Sequence, residues 1–116
     1  MDLVMKRGEI YFANLSPTQG SDVDKRSLVL VVSNDINNNA STTVTILPIK
    51  SNTNRLHLFE VLLGQIDCGL SESFKVQVQQ IRTISKQRIS GDVVKCLDRE
   101  SMDLVNDAMK LHLALE

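Results

Sequence analysis

The run of aliphatic residues from Leu28 to Val32 is the feature that most constrains the fold. It contains only Leu and Val, which fit well into β-strands. A strand whose apolar residues do not alternate with polar ones is covered on both faces. The sequence therefore predicts a central buried strand. The residues before it, from Leu15 to Ser27, are polar and charged and are expected to form a loop. It is either a solvated hairpin loop or a loop that presents functional groups on a rigid base.

Further β-forming segments separated by turn residues predict more strands. Pro48 is expected to take the last residues of the third strand out of the sheet. The apolar positions change parity near Gln79 and Gln80, which predicts a bulge or twist. The asparagine-rich segment 34–42 predicts a turn or a single helical turn, and residues 86–90 a short turn or 3₁₀ segment. The other predicted strands span 8–15, 43–49, 56–63, 75–84 and 93–94.

The apolar period becomes helical from Asp98 onward. Leu104, Ala108, Leu111 and Leu115 recur at helical spacing, flanked by Val105 and Met109, and Asp98 is a suitable N-cap. The pattern predicts a terminal helix that lies across the sheet through this stripe of residues.

The order of these elements indicates the fold class. Strands dominate, one long helix ends the chain, and 116 residues suit one domain spanning 1–116. The prediction is a mainly β protein in which a small, twisted antiparallel sheet curls toward a barrel, with a C-terminal helix.

Charge and composition exclude several classes of function. With 13 basic and 14 acidic residues, a nucleic-acid site must be a local basic patch. Cys68 and Cys96 show no spacing typical of metal ligands or a disulfide framework, which favours free thiols in a reducing compartment. No apolar run approaches the ~20 residues of a membrane span, so we expect a soluble cytoplasmic protein with no membrane contact. No cluster of acidic residues or histidines has metal-ligand spacing, so no metal or cofactor is expected.

Several short motifs, taken in order, make the chain resemble the MazF/PemK family of toxin ribonucleases. No single motif is specific, but together they run almost from end to end. The matching segments are Lys6–Pro17, Gly20–Asp22, Val31–Asp35, Leu47–Asn52, Phe59–Val61, Gln80–Ile84 with Lys86–Arg88, and Ala108–Leu111.

The resemblance implies a function as well as a fold. It implies an SH3-like barrel with a C-terminal helix, usually a homodimer, in the toxin of a type II toxin–antitoxin pair. It further implies a metal-independent endoribonuclease that cleaves single-stranded RNA by attack of a 2′-OH. The C-terminal peptide of a cognate antitoxin is expected over the same groove.

At three positions this chain departs from the family pattern. Family members carry an arginine at the start of the second strand, a threonine after the third strand and a glutamate in the first loop. Here Ser27, Lys50 and Asp22 occupy those positions. In one interpretation Arg26, Ser27, Lys50 and Ser51 form the catalytic set, although Arg26 and Ser27 point to opposite faces if the segment is extended. In the alternative, the chain is a catalytically impaired homologue that keeps the fold, the dimer and the binding of antitoxin or nucleic acid.

The resemblance also indicates residues that contact RNA. Gln80 and Arg82 match a motif whose polar residues line the substrate channel of the family. Ser21, Asp22 and Thr53 lie in the two loops next to the candidate catalytic residues. A solvated strand face is the competing interpretation for Gln80 and Arg82.

The two histidines are weaker candidates. His57 is expected to point outward from a strand, and His112 to be a packed or surface residue of the terminal helix. An unrelated SH3-like barrel that binds peptides is a third alternative, but such grooves are rich in aromatic residues and this chain has 3%.

Overall fold

The computed structural model describes residues 4–15, 26–51, 53–64 and 73–115. The second strand begins at Arg26, two residues earlier than predicted, and the fourth begins at Glu60, four residues later than predicted. The elements are β1 (Glu9–Asn14), β2 (Arg26–Val31), α1 (Asp35–Ala40), β3 (Thr43–Lys50), β4 (Glu60–Leu63), β5 (Phe74–Gln77), β6 (Arg82–Ser85), β7 (Ile89–Cys96) and α2 (Arg99–His112), with 3₁₀ turns at Val78–Gln80 and Lys86–Arg88.

All strands belong to one antiparallel sheet that is organised around β3. The order is β4-β5-β3-β2-β1-β7, and β6 pairs with the first half of β3. Among the described residues, no ladder joins β7 to β6 or β4, so the sheet curls without closing. The predicted class is confirmed: a mainly β, SH3-like architecture with a C-terminal helix, built as an open rather than a closed barrel.

The strand predicted over residues 75–84 is two strands separated by a 3₁₀ turn. Val76 lies opposite Ile49 and Arg82 lies opposite Ile46. The segment thus advances six positions, from 76 to 82, while β3 advances three, from 49 to 46. The turn Val78–Gln80 takes up the difference. The predicted irregularity near residues 79 and 80 is therefore confirmed, and it lets one segment cover two successive parts of β3.

Pro48 does not end the third strand, contrary to the prediction. The amide of Val32 donates to the carbonyl of Thr45, so Val32 and Thr45 are a hydrogen-bonded pair of the β2–β3 ladder. Hydrogen-bonded and non-hydrogen-bonded pairs alternate along an antiparallel ladder, and Val29–Pro48, three pairs further on, is therefore a non-hydrogen-bonded pair. The nitrogen of Pro48 therefore faces the opposite edge of β3, in the gap between the partners β6 and β5. No donor is needed there, and the strand continues to Lys50.

The side chains of β2 alternate between two cores, which confirms that this strand is buried on both faces. Leu28, Leu30 and Val32 pack in a core that helix α2 covers with Met102 and Val105. Val29 and Val31 pack in a second core on the opposite face of the sheet.

The helix was predicted correctly, but its buried stripe was not. Val105 is fully buried, whereas Leu104 is 54% exposed, Leu111 69% and Leu115 57%. Of the predicted stripe only Ala108 packs against the core, together with the predicted flanking residues Val105 and Met109. The two stripes differ by one residue in phase, and only the angle at which the helix lies on the sheet selects between them.

The segment after β2 forms a short helix, as its asparagines predict. The side chain of Asn34 caps α1 by accepting from the amide of Asn37 at 2.8 Å. Asn38 is completely buried and donates to the carbonyl of Ser33 at 2.9 Å. Hydrogen bonds between asparagine side chains and the backbone thus hold this turn.

Two smaller findings concern the rest of the described chain. Cys96 is an exposed free thiol, whereas Cys68 lies outside the described residues. In the part of the chain that the structure describes, no helix is both long enough and apolar enough to span a bilayer.

Candidate functional site

The ends of β2 and β3 bring two of the predicted site residues together. Leu28 pairs with Ile49, so the next residues outward, Ser27 and Lys50, are neighbours across the ladder. By strand alternation they share the face of Val29 and Pro48. Lys50 is exposed and Ser27 is half-buried, and the exposed Ser51 follows directly. A cation and two hydroxyl side chains therefore stand at one end of the sheet.

Arg26 lies on the other face of the sheet. It pairs with Asn14 of β1, and its guanidinium carbon is 4.8 Å from the centre of the Phe12 ring. Phe12 packs against the core beneath helix α2, opposite the face of Ser27. Arg26 and Lys50 therefore leave the sheet on opposite faces, as strand alternation requires.

A buried ion pair lies beside Lys50. Lys75 of β5 is directly opposite Lys50, and two like charges in that arrangement repel each other. The Lys75 ammonium lies 2.9 Å from the carboxylate of Glu60, and it also donates to the carbonyl of Arg55 at 2.8 Å. Both side chains of the pair are almost completely buried. Lys75 is therefore neutralised, and Lys50 carries the cation that is exposed at this end of β3.

Glu60 is the centre of a hydrogen-bond network. Burial raises the pKa of its carboxyl group, but its donors outweigh burial and lower the pKa to about 2, so the group is ionised. The network fixes the segment between β3 and β4, since it holds that segment's backbone at residues 55 and 57. The donors are the Lys75 ammonium, the His57 amide at 2.9 Å, Gln79 Nε2 at 2.8 Å and Gln77 Nε2 at 3.2 Å.

Sequence reasoning missed this network, because its residues look like the polar side of half-exposed strands. The one available signal is that polar residues 75, 77 and 79 share one face of the predicted strand 75–84, and that Glu60 is the one acidic residue of the predicted strand 56–63. Only the register of β4 with β5 shows that Glu60 lies opposite Gln77 and diagonally from Lys75.

The residues predicted to contact RNA are spread along one edge of the sheet. Arg82 is exposed and pairs with Ile46, on the face of Lys50 but four residues away, or about 13 Å along β3. Gln80 is exposed at the end of the 3₁₀ turn, and Thr53 is half-buried in the segment after β3. Ser21 and Asp22 lie outside the described residues.

The histidines take no part in this cluster of strand ends. His112 packs on Phe59, with ring centres 5.1 Å apart, as expected for a packed helix residue. His57 is exposed and contributes its backbone amide to Glu60. Among the described residues, no three His, Cys, Asp or Glu side chains come close enough together to hold a metal ion.

Comparison with known proteins gives consistent matches along the whole chain. Residues 6–113 match the family described as "PemK-like, MazF-like toxin of type II toxin-antitoxin system". Endoribonuclease EndoA of Bacillus subtilis is 38% identical over 114 residues, which cover 97% of each protein. Endoribonuclease MazF9 of Mycobacterium tuberculosis is 35% identical over 97% of this chain and 98% of that protein.

Solved structures show the same fold at lower identity. A MazE–MazF structure from Deinococcus radiodurans superposes with a TM-score of 0.82, at 20% identity, over 99% of this chain and 100% of that chain. An endoribonuclease in complex with its cognate antitoxin from a mycobacterial species gives a TM-score of 0.76, at 22% identity, over 97% and 96% of the two chains. The match over residues 6–113 and the two relatives above 30% identity show that this chain belongs to the PemK-like, MazF-like toxins of type II toxin–antitoxin systems.

Proposed function

We propose that this protein is the toxin of a type II pair and acts as a metal-independent endoribonuclease on single-stranded RNA in the cytoplasm. Family membership supports the role of toxin, and two relatives that match nearly the whole chain are named endoribonucleases. Single-stranded RNA is a suitable substrate because unpaired bases can leave the stack and enter pockets on a protein.

The reaction uses the substrate's own nucleophile. The 2′-OH attacks the neighbouring phosphorus, its proton is removed, and the 5′-oxygen of the next nucleotide leaves with a proton, so the products are a 2′,3′-cyclic phosphate and a 5′-OH. Negative charge develops on the non-bridging oxygens of the phosphorane. Groups that donate hydrogen bonds to these oxygens lower the barrier.

One observation carries the proposal for the site: Lys50 is exposed beside Ser27 on one face of two adjacent strand ends. Among the described residues, no hydrogen bond or ion pair engages the Lys50 ammonium, while the neighbouring Lys75 is bound to Glu60. We assign to Lys50, Ser27 and Ser51 the role of donors to the phosphate oxygens. Lysine is a point charge rather than a bidentate fork, so the hydroxyl groups supply the directional contacts.

The remaining contacts belong to the groove around this end of the sheet. We propose that Thr53, Gln80 and Arg82 bind neighbouring nucleotides, together with Ser21 and Asp22 of the first loop. We also propose that the protein is a homodimer and that the C-terminal peptide of its antitoxin covers the groove. Solved toxin–antitoxin complexes share this fold, which supports the antitoxin as the partner.

Cleavage of a long unstructured RNA, with and without EDTA, tests the proposal. Replacing Lys50→Met removes one charge-stabilising donor and should lower the rate by about 10² to 10³. The matched control is Lys110→Met, which removes an equally exposed lysine from helix α2 and should not change the rate. Loss of cleavage in EDTA would refute the metal-independent reaction.

The catalytically impaired alternative makes a different prediction in the same assay. The comparisons do not favour it over the active enzyme, because relatives named endoribonucleases match the whole chain. If the protein leaves RNA intact while the double change Ser27→Arg and Lys50→Thr restores cleavage, the active reading is rejected. The protein is then a binding homologue, and its expression in a host without antitoxin should be harmless.

A further inference from the structure

Arg26 and Phe12 form a small aromatic and cationic surface on the face of the sheet opposite Lys50. Arg26 is exposed and Phe12 is half-buried. The register pairs Arg26 with Asn14 and Leu28 with Phe12, so the guanidinium group reaches diagonally across the ladder to the ring. The distance of 4.8 Å from guanidinium carbon to ring centre is within the range of a cation–π contact.

The ring and the cation stack outward from the core. One side of Phe12 packs against the apolar cluster beneath α2, and Arg26 lies over the ring. Because Arg26 is exposed, the side of the guanidinium group that faces away from the ring is open to solvent. Among the described residues, no carboxylate pairs with Arg26.

A second arginine lies close to this surface. Arg88, in the turn before β7, donates to the carbonyl of Asn14 at 3.0 Å, and Asn14 is the strand partner of Arg26. The Arg88 guanidinium group therefore lies at the backbone of the residue that pairs with Arg26. A planar cation on an aromatic ring matches the surfaces on which proteins stack the bases of single-stranded nucleic acid.

We propose that Arg26 and Phe12 are a stacking platform for one base of the RNA, next to the phosphate held by Lys50. This inference rests on the proposed function, since it concerns the same substrate. Arg26 and Ser27 are consecutive residues with side chains on opposite faces of β2. A strand of RNA that crosses the end of β2 thus leaves its phosphate on one side and places the adjacent base on the other. Arg26 binds substrate, and Lys50 and Ser27 stabilise the charge.

Binding of oligonucleotides that cannot be cleaved tests the platform separately from catalysis. The probe is a short single-stranded 2′-O-methyl RNA pool of mixed sequence, in which the blocked 2′ oxygen cannot attack. The second probe is an abasic oligonucleotide with the same number of phosphates. Arg26→Lys keeps the charge but removes the planar group. It should weaken binding of the base-containing pool about tenfold and leave the abasic probe unchanged.

Two further variants separate stacking from other roles. Phe12→Leu should weaken the base-containing probe in the same way, and its thermal unfolding shows whether the fold is retained. If the Phe12→Leu variant is unfolded, the binding of the two probes by Arg26→Lys alone tests the platform. Arg99→Lys, at an exposed arginine that begins helix α2, is the matched control and should bind both probes like the wild type.

The possible outcomes are distinct. If Arg26→Lys binds each probe as tightly as the wild type does, the platform is overturned, because the arginine then acts through its charge alone. An acidic peptide serves as a third probe. If Arg26→Lys weakens binding of this peptide but not of the RNA pool, the platform is also overturned, and the surface contacts a protein partner. If the base-dependent loss is observed but the wild type never cleaves RNA, the platform stands and the proposed enzymatic function fails.

Discussion

Replacing Glu60 by Gln tests the buried network beside the site most directly. The substitution keeps the shape of the side chain but leaves the Lys75 ammonium buried without its 2.9 Å partner. The hydrogen bonds to Glu60 lower its pKa from 4.5 to about 2, and this shift corresponds to about 3 kcal/mol of folding free energy at neutral pH. Breaking a buried ion pair on one side has a similar cost of about 3 to 5 kcal/mol. We therefore expect the free energy of unfolding to fall by about 3 kcal/mol, a large part of the ~5 to 15 kcal/mol of a typical domain.

The stability that ionised Glu60 contributes should decrease as the pH falls. Because the folded-state pKa of Glu60 is depressed, its contribution is fully present above the unfolded value of 4.5 and is lost as the pH falls toward about 2. Glutamine cannot be protonated in this range. The difference in stability between the wild type and Glu60→Gln should therefore be constant above pH 5 and shrink below it.

Urea unfolding of both proteins at several pH values measures this difference, and contributions from other carboxyl groups cancel in the comparison. The double variant Glu60→Gln and Lys75→Met removes both charges and should be more stable than Glu60→Gln alone. Faster hydrogen exchange at the His57 amide, which donates to Glu60, should accompany the loss. A loss of stability below about 1 kcal/mol, or a difference that does not change with pH, would refute the reasoning.

Three other predictions follow from the fold. Tyr11 is the one tyrosine of the chain, and burial together with its hydrogen bond to Glu9 raises its pKa. The phenolate absorbance of the folded protein should therefore appear well above pH 10, whereas the unfolded chain should titrate near pH 10. Titration near pH 10 in the folded state would contradict the burial of this residue. Met102→Ala should cost about 2 to 5 kcal/mol in urea unfolding because it opens a cavity beneath α2, whereas Leu104→Ala, on the exposed side, should change stability by less than about 0.5 kcal/mol; the reverse order would mean that the helix packs through its other stripe. Asn34→Ala should cost about 1 kcal/mol by removing the cap of α1, a loss that Asn34→Ser should largely restore.

Local patterns were enough to predict the class of fold and most of its elements. The uninterrupted run at Leu28–Val32 required a strand covered on both faces, and the structure has one core on each side of it. The helix cap at Asp98 and the irregularity near Gln79 depend on interactions between residues a few positions apart, so the sequence alone displays them. Ordered motifs carried the family resemblance, which the comparisons confirm.

The tertiary structure decided everything that depends on how distant segments meet. Two apolar stripes run along α2, and only its docking onto the sheet buries Met102 and Val105 rather than Leu104 and Leu111. Pro48 stays within β3 because its nitrogen faces the gap between the neighbouring strands β6 and β5. The residues next to Pro48 in the sequence do not reveal this gap.

The site shows the same division between local and long-range information. The sequence determined that Arg26 and Ser27, as neighbours on a strand, point to opposite faces. It could not determine that Phe12 receives Arg26, or that Glu60 neutralises Lys75 and leaves Lys50 exposed. Charge pairing and stacking require distances of a few ångströms between residues far apart in the chain, and strand register alone sets those distances.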